Sequence, residues 1–146
     1  MSTDDAFQKM VRELQQKVEY EEEATYSPVV IQQCRHPTHF GVVENPDAYG
    51  EVKGSCGDTM SISLRISWGN IQDARFWTDG CGATIACGNM LTSMIQGETI
   101  KDAARITHNQ LLKVLGGLPE EHLHCSQLAI QTLQKTIHKY HKRKTD

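Results

Sequence analysis

No stretch of this chain approaches the roughly 20 consecutive apolar residues that a bilayer-spanning helix needs. Its first residues, Met1-Ser2-Thr3-Asp4-Asp5, lack both the apolar core of a secretion signal and an Arg-rich amphipathic pattern. A soluble, cytoplasmic protein is therefore expected, with no membrane partner. Positive charge is not in excess: 15 Lys and Arg stand against 18 Asp and Glu, a net charge of −3, which argues against a nucleic-acid-binding face. Internal repeats and low-complexity linkers are absent, and 146 residues fit a single domain. There is no Cys-x-x-Cys knuckle. The five cysteines, at 34, 56, 81, 87 and 125, are an odd number, which fits reduced thiols better than a disulfide framework.

What is present is periodic. Hydrophobic residues make up 38% of the chain, enough for an ordinary core. Phe7, Met10, Val11, Leu14 and Val18 recur at three- and four-residue steps before Glu21-Glu22-Glu23. That spacing predicts an amphipathic helical extension over 1–25, either a packing or capping helix or a partner-binding arm. Residues 26–146 form the domain proper. Ser27-Pro28 opens a helix running to about His36, with Val30, Ile31 and Cys34 on one face, so that Cys34 reads as a buried small hydrophobe. Gly41, Asn45-Pro46-Asp47 and Gly50 mark a turn-rich loop.

Met60, Ile62, Leu64, Ile66 and Trp68 alternate with Ser61, Ser63, Arg65 and Ser67, which predicts a strand with a polar outer face. Gly69-Asn70 signals a hairpin turn, Ile71–Thr78 returns, and a strand around Tyr49–Ser55 completes an antiparallel sheet. The period turns helical at Ala83, Ala86, Met90 and Met94 and stops at Gly97. Thr99-Ile100-Lys101-Asp102 and Thr107-His108-Asn109-Gln110 resemble capping boxes and predict two shorter helices. Gly116-Gly117 then precedes a long last helix whose apolar face is Leu123, Ile130, Leu133, Ile137 and Tyr140. Pro119 suits its first turn, Glu120 and Glu121 its positive end, and Lys139, Lys142, Arg143 and Lys144 its negative end. The class expected is α+β: a three-stranded antiparallel sheet packed with five to six helices.

The chemistry gathers in three places. Cys56-Gly57-Asp58 follows a strand, Gly80-Cys81-Gly82 joins a strand to a helix, and His124-Cys125 lies near the last helix's start, where the helix field favours a thiolate. Glycines beside the two upstream cysteines leave the backbone free to approach a bound ion. Three thiolates with an imidazole or a carboxylate match Zn²⁺ or an iron–sulfur cluster in softness. Scattered, loop-borne ligands suit an exposed site that releases its cargo. Cys87 reads as a core residue, and His122 as a solvated helix residue, with a part at the site as its second reading. His108 reads as bland, and His36, His39, His138 and His141 carry no specific signal.

These motifs resemble the IscU/NifU N-terminal-domain family of iron–sulfur cluster assembly scaffolds. The similarity runs in order through Tyr26-Ser27, Pro37, Gly41, Cys56-Gly57-Asp58, Asp73-Ala74-Arg75-Phe76, Gly80-Cys81-Gly82-Ala83, Ile85-Ala86, Leu118-Pro119 and Leu123-His124-Cys125-Ser126. It covers about residues 26–140. The resemblance implies a sheet covered by helices with the cluster site exposed at one end. It implies a scaffold and not an enzyme: sulfur arrives as a persulfide from a pyridoxal-phosphate cysteine desulfurase, electrons come from a donor such as ferredoxin, and a [2Fe–2S]-type cluster passes to apo-proteins. By motif, Cys56, Cys81 and Cys125 are the thiolate ligands, Asp58 and His124 compete for the fourth position, and Cys125 is also the persulfide acceptor. The related SufU branch holds zinc and lacks the histidine before its last cysteine, so His124 sets this chain on the IscU/NifU side. A zinc-bound sulfur relay, a structural zinc protein and a cysteine-nucleophile enzyme using Cys125, His124 and Asp58 are the alternatives. The last is disfavoured because adjacent His and Cys side chains should diverge on a helix.

Three features depart from the family: the N-terminal helix, Cys87 at a usually small position, and the segment before His124. Scaffolds recognised by a dedicated heat-shock-type chaperone carry Leu-Pro-Pro-Val-Lys there, where this chain has Leu118-Pro119-Glu120-Glu121-His122. Two carboxylates would be costly to desolvate in an apolar groove without cationic partners. A peptide of residues 116–124 is therefore expected to leave such a chaperone's ATPase unstimulated, while the same peptide with Glu120→Pro, Glu121→Val and His122→Lys stimulates it. Equal stimulation by the native peptide would restore the chaperone as a partner.

Overall fold

The computed structural model describes residues 3–145, and within them the side chains of 4–14 and 25–143. The side chains of Val18, Glu21, Glu22, Glu23 and Lys144 lie outside the described residues. Two helices, α1 (Thr3–Thr25) and α2 (Pro28–Arg35), precede strands β1 (Ala48–Lys53), β2 (Thr59–Ser67) and β3 (Asn70–Thr78). Helices α3 (Gly82–Ile95), α4 (Ile100–Ala103) and α5 (His108–Leu115) follow, then a 3₁₀ turn (Glu120–His122) and the long α6 (Leu123–Thr145). The strands form one antiparallel sheet in the order β1-β2-β3, as the alternation in the sequence predicts.

The core lies between this sheet and two helices. Gly50, Ile62 and Phe76 stand side by side across the three strands. A Cβ on Gly50 would come within 2.5 Å of Thr136 Oγ1, and one on Gly88 within 2.5 Å of the Phe76 ring. These two glycines let α6 and α3 lie directly on the sheet. Around them Met60, Ile62, Leu64, Phe76, Leu91, Ile95 and Leu133 are almost wholly removed from water. Ser27 caps α2 by accepting the Val30 N–H at 3.1 Å, and its hydroxyl donates to the Leu115 carbonyl at the end of α5. Thr107 and Gln110 form a full capping box on α5. At α4, a single turn, Thr99 accepts the Asp102 N–H but the reciprocal half of the box is not formed.

Two features of the sheet differ from the alternation read in the sequence. Ser63 is buried although it points away from the helices, because the loop after α2 crosses that outer face. His39 and Gly41 bond the edge of β3 at Phe76, and the Val43 N–H donates to Ser63 Oγ at 2.9 Å. At the far end, a register shift leaves Gln72 of β3 unpaired between the partners of Arg65 and Ile66, so the period breaks in β3 and Ile71 and Ala74 are both buried. A one-residue slip moves every later side chain to the other face. The turn is Trp68-Gly69, with φ of 54° and 77°, and Trp68, which the alternation placed on the apolar side, is 98% exposed because it lies in the turn and not in β2. Both positive φ values match the two-residue turn that fits strand twist.

Helix α1 is formed as predicted, but three residues of its apolar stripe, Phe7, Met10 and Leu14, are 61%, 50% and 56% exposed. No helix among the described residues is long and apolar enough to cross a membrane.

Gly88→Ala is expected to destabilise the protein by about 1–3 kcal/mol, the usual cost of overpacking, because the Phe76 ring has no free space to yield. Phe7→Ala, on the open stripe of α1, should change stability by less than about 0.5 kcal/mol. Urea unfolding midpoints at constant m-value measure both.

Candidate metal centre

The five residues joining β1 to β2, Gly54–Asp58, close on themselves. The Gly54 N–H donates to the Asp58 carbonyl at 2.7 Å and the Gly57 N–H to the Gly54 carbonyl at 3.0 Å. Gly57 takes φ +89°, a left-handed value that glycine tolerates without strain. This hairpin loop leaves Cys56 exposed at its tip and turns the half-buried Asp58 inward. Across from it, the Thr78 hydroxyl donates to the Thr59 carbonyl at 2.6 Å and the Thr59 N–H donates to Asp79 at 2.8 Å. The segment leading to Cys81 is thus tied to the start of β2.

Cys81 is the N-cap residue of α3. The flanking glycines have specific tasks. A Cβ on Gly80 would lie 2.9 Å from Asp58 Oδ2, and one on Gly82 would lie 2.8 Å from Cys34 Sγ. Close packing of a carboxylate and of a half-buried thiol, not only approach of an ion, requires them. Cys34 thus sits against the site's backbone, while Cys87 is fully buried in the core, where burial drives its thiol pKa far up.

Thr84, one turn into α3, links the cysteines. Its hydroxyl lies 3.3 Å from Cys125 Sγ, 3.4 Å from Asp58 Oδ2 and 3.6 Å from Cys81 Sγ. The two thiols respond to this setting in opposite ways. For Cys81 burial raises the pKa, but hydrogen bonds from the Thr84 N–H, the Thr84 hydroxyl and the Ala83 N–H outweigh it, so the net shift is downward. Cys125 is fully buried, and its pKa is pushed up to about 11 by burial, with the negative charges of Cys81 and Asp58 adding to it. The thiolate that the helix start was expected to favour at Cys125 is instead favoured at Cys81. The open N–H groups of a helix act over its first turn, and at α3 they meet a sulfur that is exposed.

The last helix also begins later than Pro119: a 3₁₀ turn intervenes, and Cys125 is the third residue of α6. This start brings His124 Nε2 to 3.6 Å from Cys125 Sγ, so these adjacent side chains do not diverge as expected. Cys56, Asp58 and His124 share the lining of an open depression of about 260 Å³. His122, read from the sequence as solvated, is half-buried, and one of its ring nitrogens belongs to a tighter group. Among the described residues, Cys81, His122 and Cys125 hold one ligand atom each within 4.8 Å of one another. Tetrahedral Zn²⁺ or Fe²⁺ with bonds of about 2.3 Å to sulfur sets its ligands about 3.7 Å apart, so the donor set fits such an ion after a contraction of about 1 Å. The one-turn spacing of His122 and Cys125, and of Cys81 and Thr84, is the sequence signal that could have found both additional residues.

A profile of the NifU-like N-terminal domain family matches residues 25–146. The chain is 39% identical over 116 residues to iron–sulfur cluster assembly scaffold protein IscU 1 of Archaeoglobus fulgidus, covering 79% of this chain and 76% of that protein. It is 36% identical over 118 residues to the scaffold protein IscU of Aquifex aeolicus, covering 79% and 75% respectively. Among solved structures, a SUF-system scaffold candidate from Fervidobacterium islandicum superposes with a TM-score of 0.63 at 22% identity, covering 77% of this chain and 96% of that one.

Because the Thr84 hydroxyl helps to hold the Cys81 thiolate, Thr84→Val should raise that thiol's pKa and slow its alkylation near neutral pH. A lost hydrogen bond of about 1 kcal/mol corresponds to about a fivefold slower reaction. Mass-spectrometric iodoacetamide labelling of the Cys81 peptide in the metal-free protein measures it; an unchanged rate would remove Thr84 from the account.

Proposed function

Since this chain belongs to the NifU-like N-terminal domain family, we propose that it is an iron–sulfur cluster assembly scaffold, and that it does not turn over a substrate as an enzyme. The observation that supports this most is the meeting of the Asp58 loop, the start of α3 and the start of α6 around the Thr84 hydroxyl. Its scaffold relatives span most of the chain. In this proposal Cys56, Cys81 and Cys125 are the thiolate ligands of a [2Fe–2S]-type cargo, with Asp58 or His124 completing the set. The five cysteines, none of them in a disulfide, fit a reducing, cytoplasmic setting.

Sulfur would come from a cysteine desulfurase. A scaffold thiolate attacks the outer sulfur of the enzyme's persulfide, a new S–S bond forms, the old one breaks, and the enzyme's thiolate leaves. Cys125 can take this part only if the segments around it open, because it is fully buried. Exposed Cys56 and Cys81 can receive sulfur without movement. An electron donor such as ferredoxin would supply reducing equivalents, and apo-proteins would receive the cluster. A carboxylate is a harder partner for iron than a thiolate, so Asp58 would be the weak point at which the cluster opens for transfer. A zinc-holding sulfur relay is the second reading, favoured by the compact Cys81, His122 and Cys125 group.

Anaerobic reconstitution with Fe²⁺, cysteine and a desulfurase, followed by visible and Mössbauer spectroscopy, tests the proposal. Sulfide-to-iron bands with stoichiometric iron are expected. Cys56→Ser, Cys81→Ser and Cys125→Ser should each abolish stable binding, while Cys34→Ser and Cys87→Ser retain it. Asp58→Ala should lengthen cluster lifetime and slow transfer to apo-ferredoxin. A colourless protein with one tightly held zinc would favour the relay instead.

A further inference from the structure

We propose that His122 is a metal ligand: with Cys81 and Cys125 it forms a two-sulfur, one-nitrogen seat for a single divalent thiophilic ion, Fe²⁺ or Zn²⁺. The assignment deepens the scaffold reading and rests on it for Cys81 and Cys125.

Three observations carry it. The ligand atoms of the three side chains lie within 4.8 Å of one another, a grouping that His124 does not join. His122 Nδ1 is buried and has no hydrogen-bond partner. An imidazole left so is poorly satisfied, since a buried polar group normally finds a partner. The ring is also held in place: it packs on Tyr26 with centroids 5.6 Å apart, and the 3₁₀ turn fixes its backbone through the His122 N–H to Pro119 carbonyl bond of 2.8 Å.

Charge agrees with geometry. Two thiolates and a neutral imidazole bring a divalent ion to zero net charge, the balance that a partly buried site favours. Adding Asp58 and Cys56 would leave an excess of negative charge on one ion. The His122 seat therefore suits a first, mononuclear ion. The depression lined by Cys56, Asp58 and His124 stays open beside it. An imidazole at this position can ligate, whereas a lysine ammonium there would have no lone pair to give.

Anaerobic Co²⁺ titration of the full-length, metal-free protein tests the assignment, with circular dichroism confirming that each variant is folded. The wild type should show sulfur-to-cobalt charge transfer and the strong ligand-field bands of a four-coordinate ion. His122→Gln should weaken Co²⁺ binding at least tenfold, shift those bands, and remove a hyperfine-shifted exchangeable imidazole resonance. His124→Gln should keep that resonance. A His122→Gln protein with unshifted bands overturns the proposal whether or not its affinity falls, because an affinity loss alone marks a structural role. A wild type that binds no four-coordinate cobalt overturns it as well. Cluster reconstitution of the wild type is read separately: cobalt bound through His122 without any cluster formed would keep this ligand and remove the scaffold reading.

Discussion

The Gly88–Phe76 contact decides where the chemistry can be. A helix carrying any side chain at that position would stand off from β3, because a Cβ there would meet the ring at 2.5 Å. With glycine, α3 lies flat on the strand that leads into it, and its first turn is carried to the end of the sheet where the β1–β2 hairpin loop also emerges. Gly50 does the same for α6 through Thr136. Two missing methyl groups thus bring one cysteine from a helix cap and another from a helix start beside a carboxylate on a hairpin. The hydrophobic core that forms around them, from Met60 to Leu133, is ordinary in composition.

Within that frame the thiols are not equivalent. Helix N–H groups and a hydroxyl stabilise negative charge at Cys81, while Cys125, buried and facing two other anions, resists ionisation. A ligand set of this kind must lose a proton from Cys125 on taking up metal, since the thiolate is the ligand. A cation arriving at Cys81 would supply the charge that makes this loss favourable.

Much of this was legible in the sequence. Periodicity located the strands and helices, and Ser27, Thr107 and Gly116 punctuated them as local rules require. Three cysteine motifs in family order indicated which thiols to watch. What could not be read depended on contacts between distant segments. The outer face of β2 looked solvated because nothing local announces that residues 41–44 fold across it. Trp68 is exposed because β2 ends at Ser67 and Trp68 opens the turn, an end that alternation alone does not mark. The ionisation of Cys125 departs from the expectation because position at a helix start is local, whereas burial is tertiary. His122 reads first as solvated, with a part at the site second, for the same reason: one turn from Cys125, its direction depends on where the 3₁₀ turn ends and α6 begins.

The Thr84 hydroxyl has one proton and three acceptors within reach, Cys125 Sγ at 3.3 Å, Asp58 Oδ2 at 3.4 Å and Cys81 Sγ at 3.6 Å. It can serve only one at a time. A cation that engaged one of them would free the proton for the other two. Thr84 is in this sense an arbiter: a carboxylate and two sulfurs are made rivals for a single hydrogen.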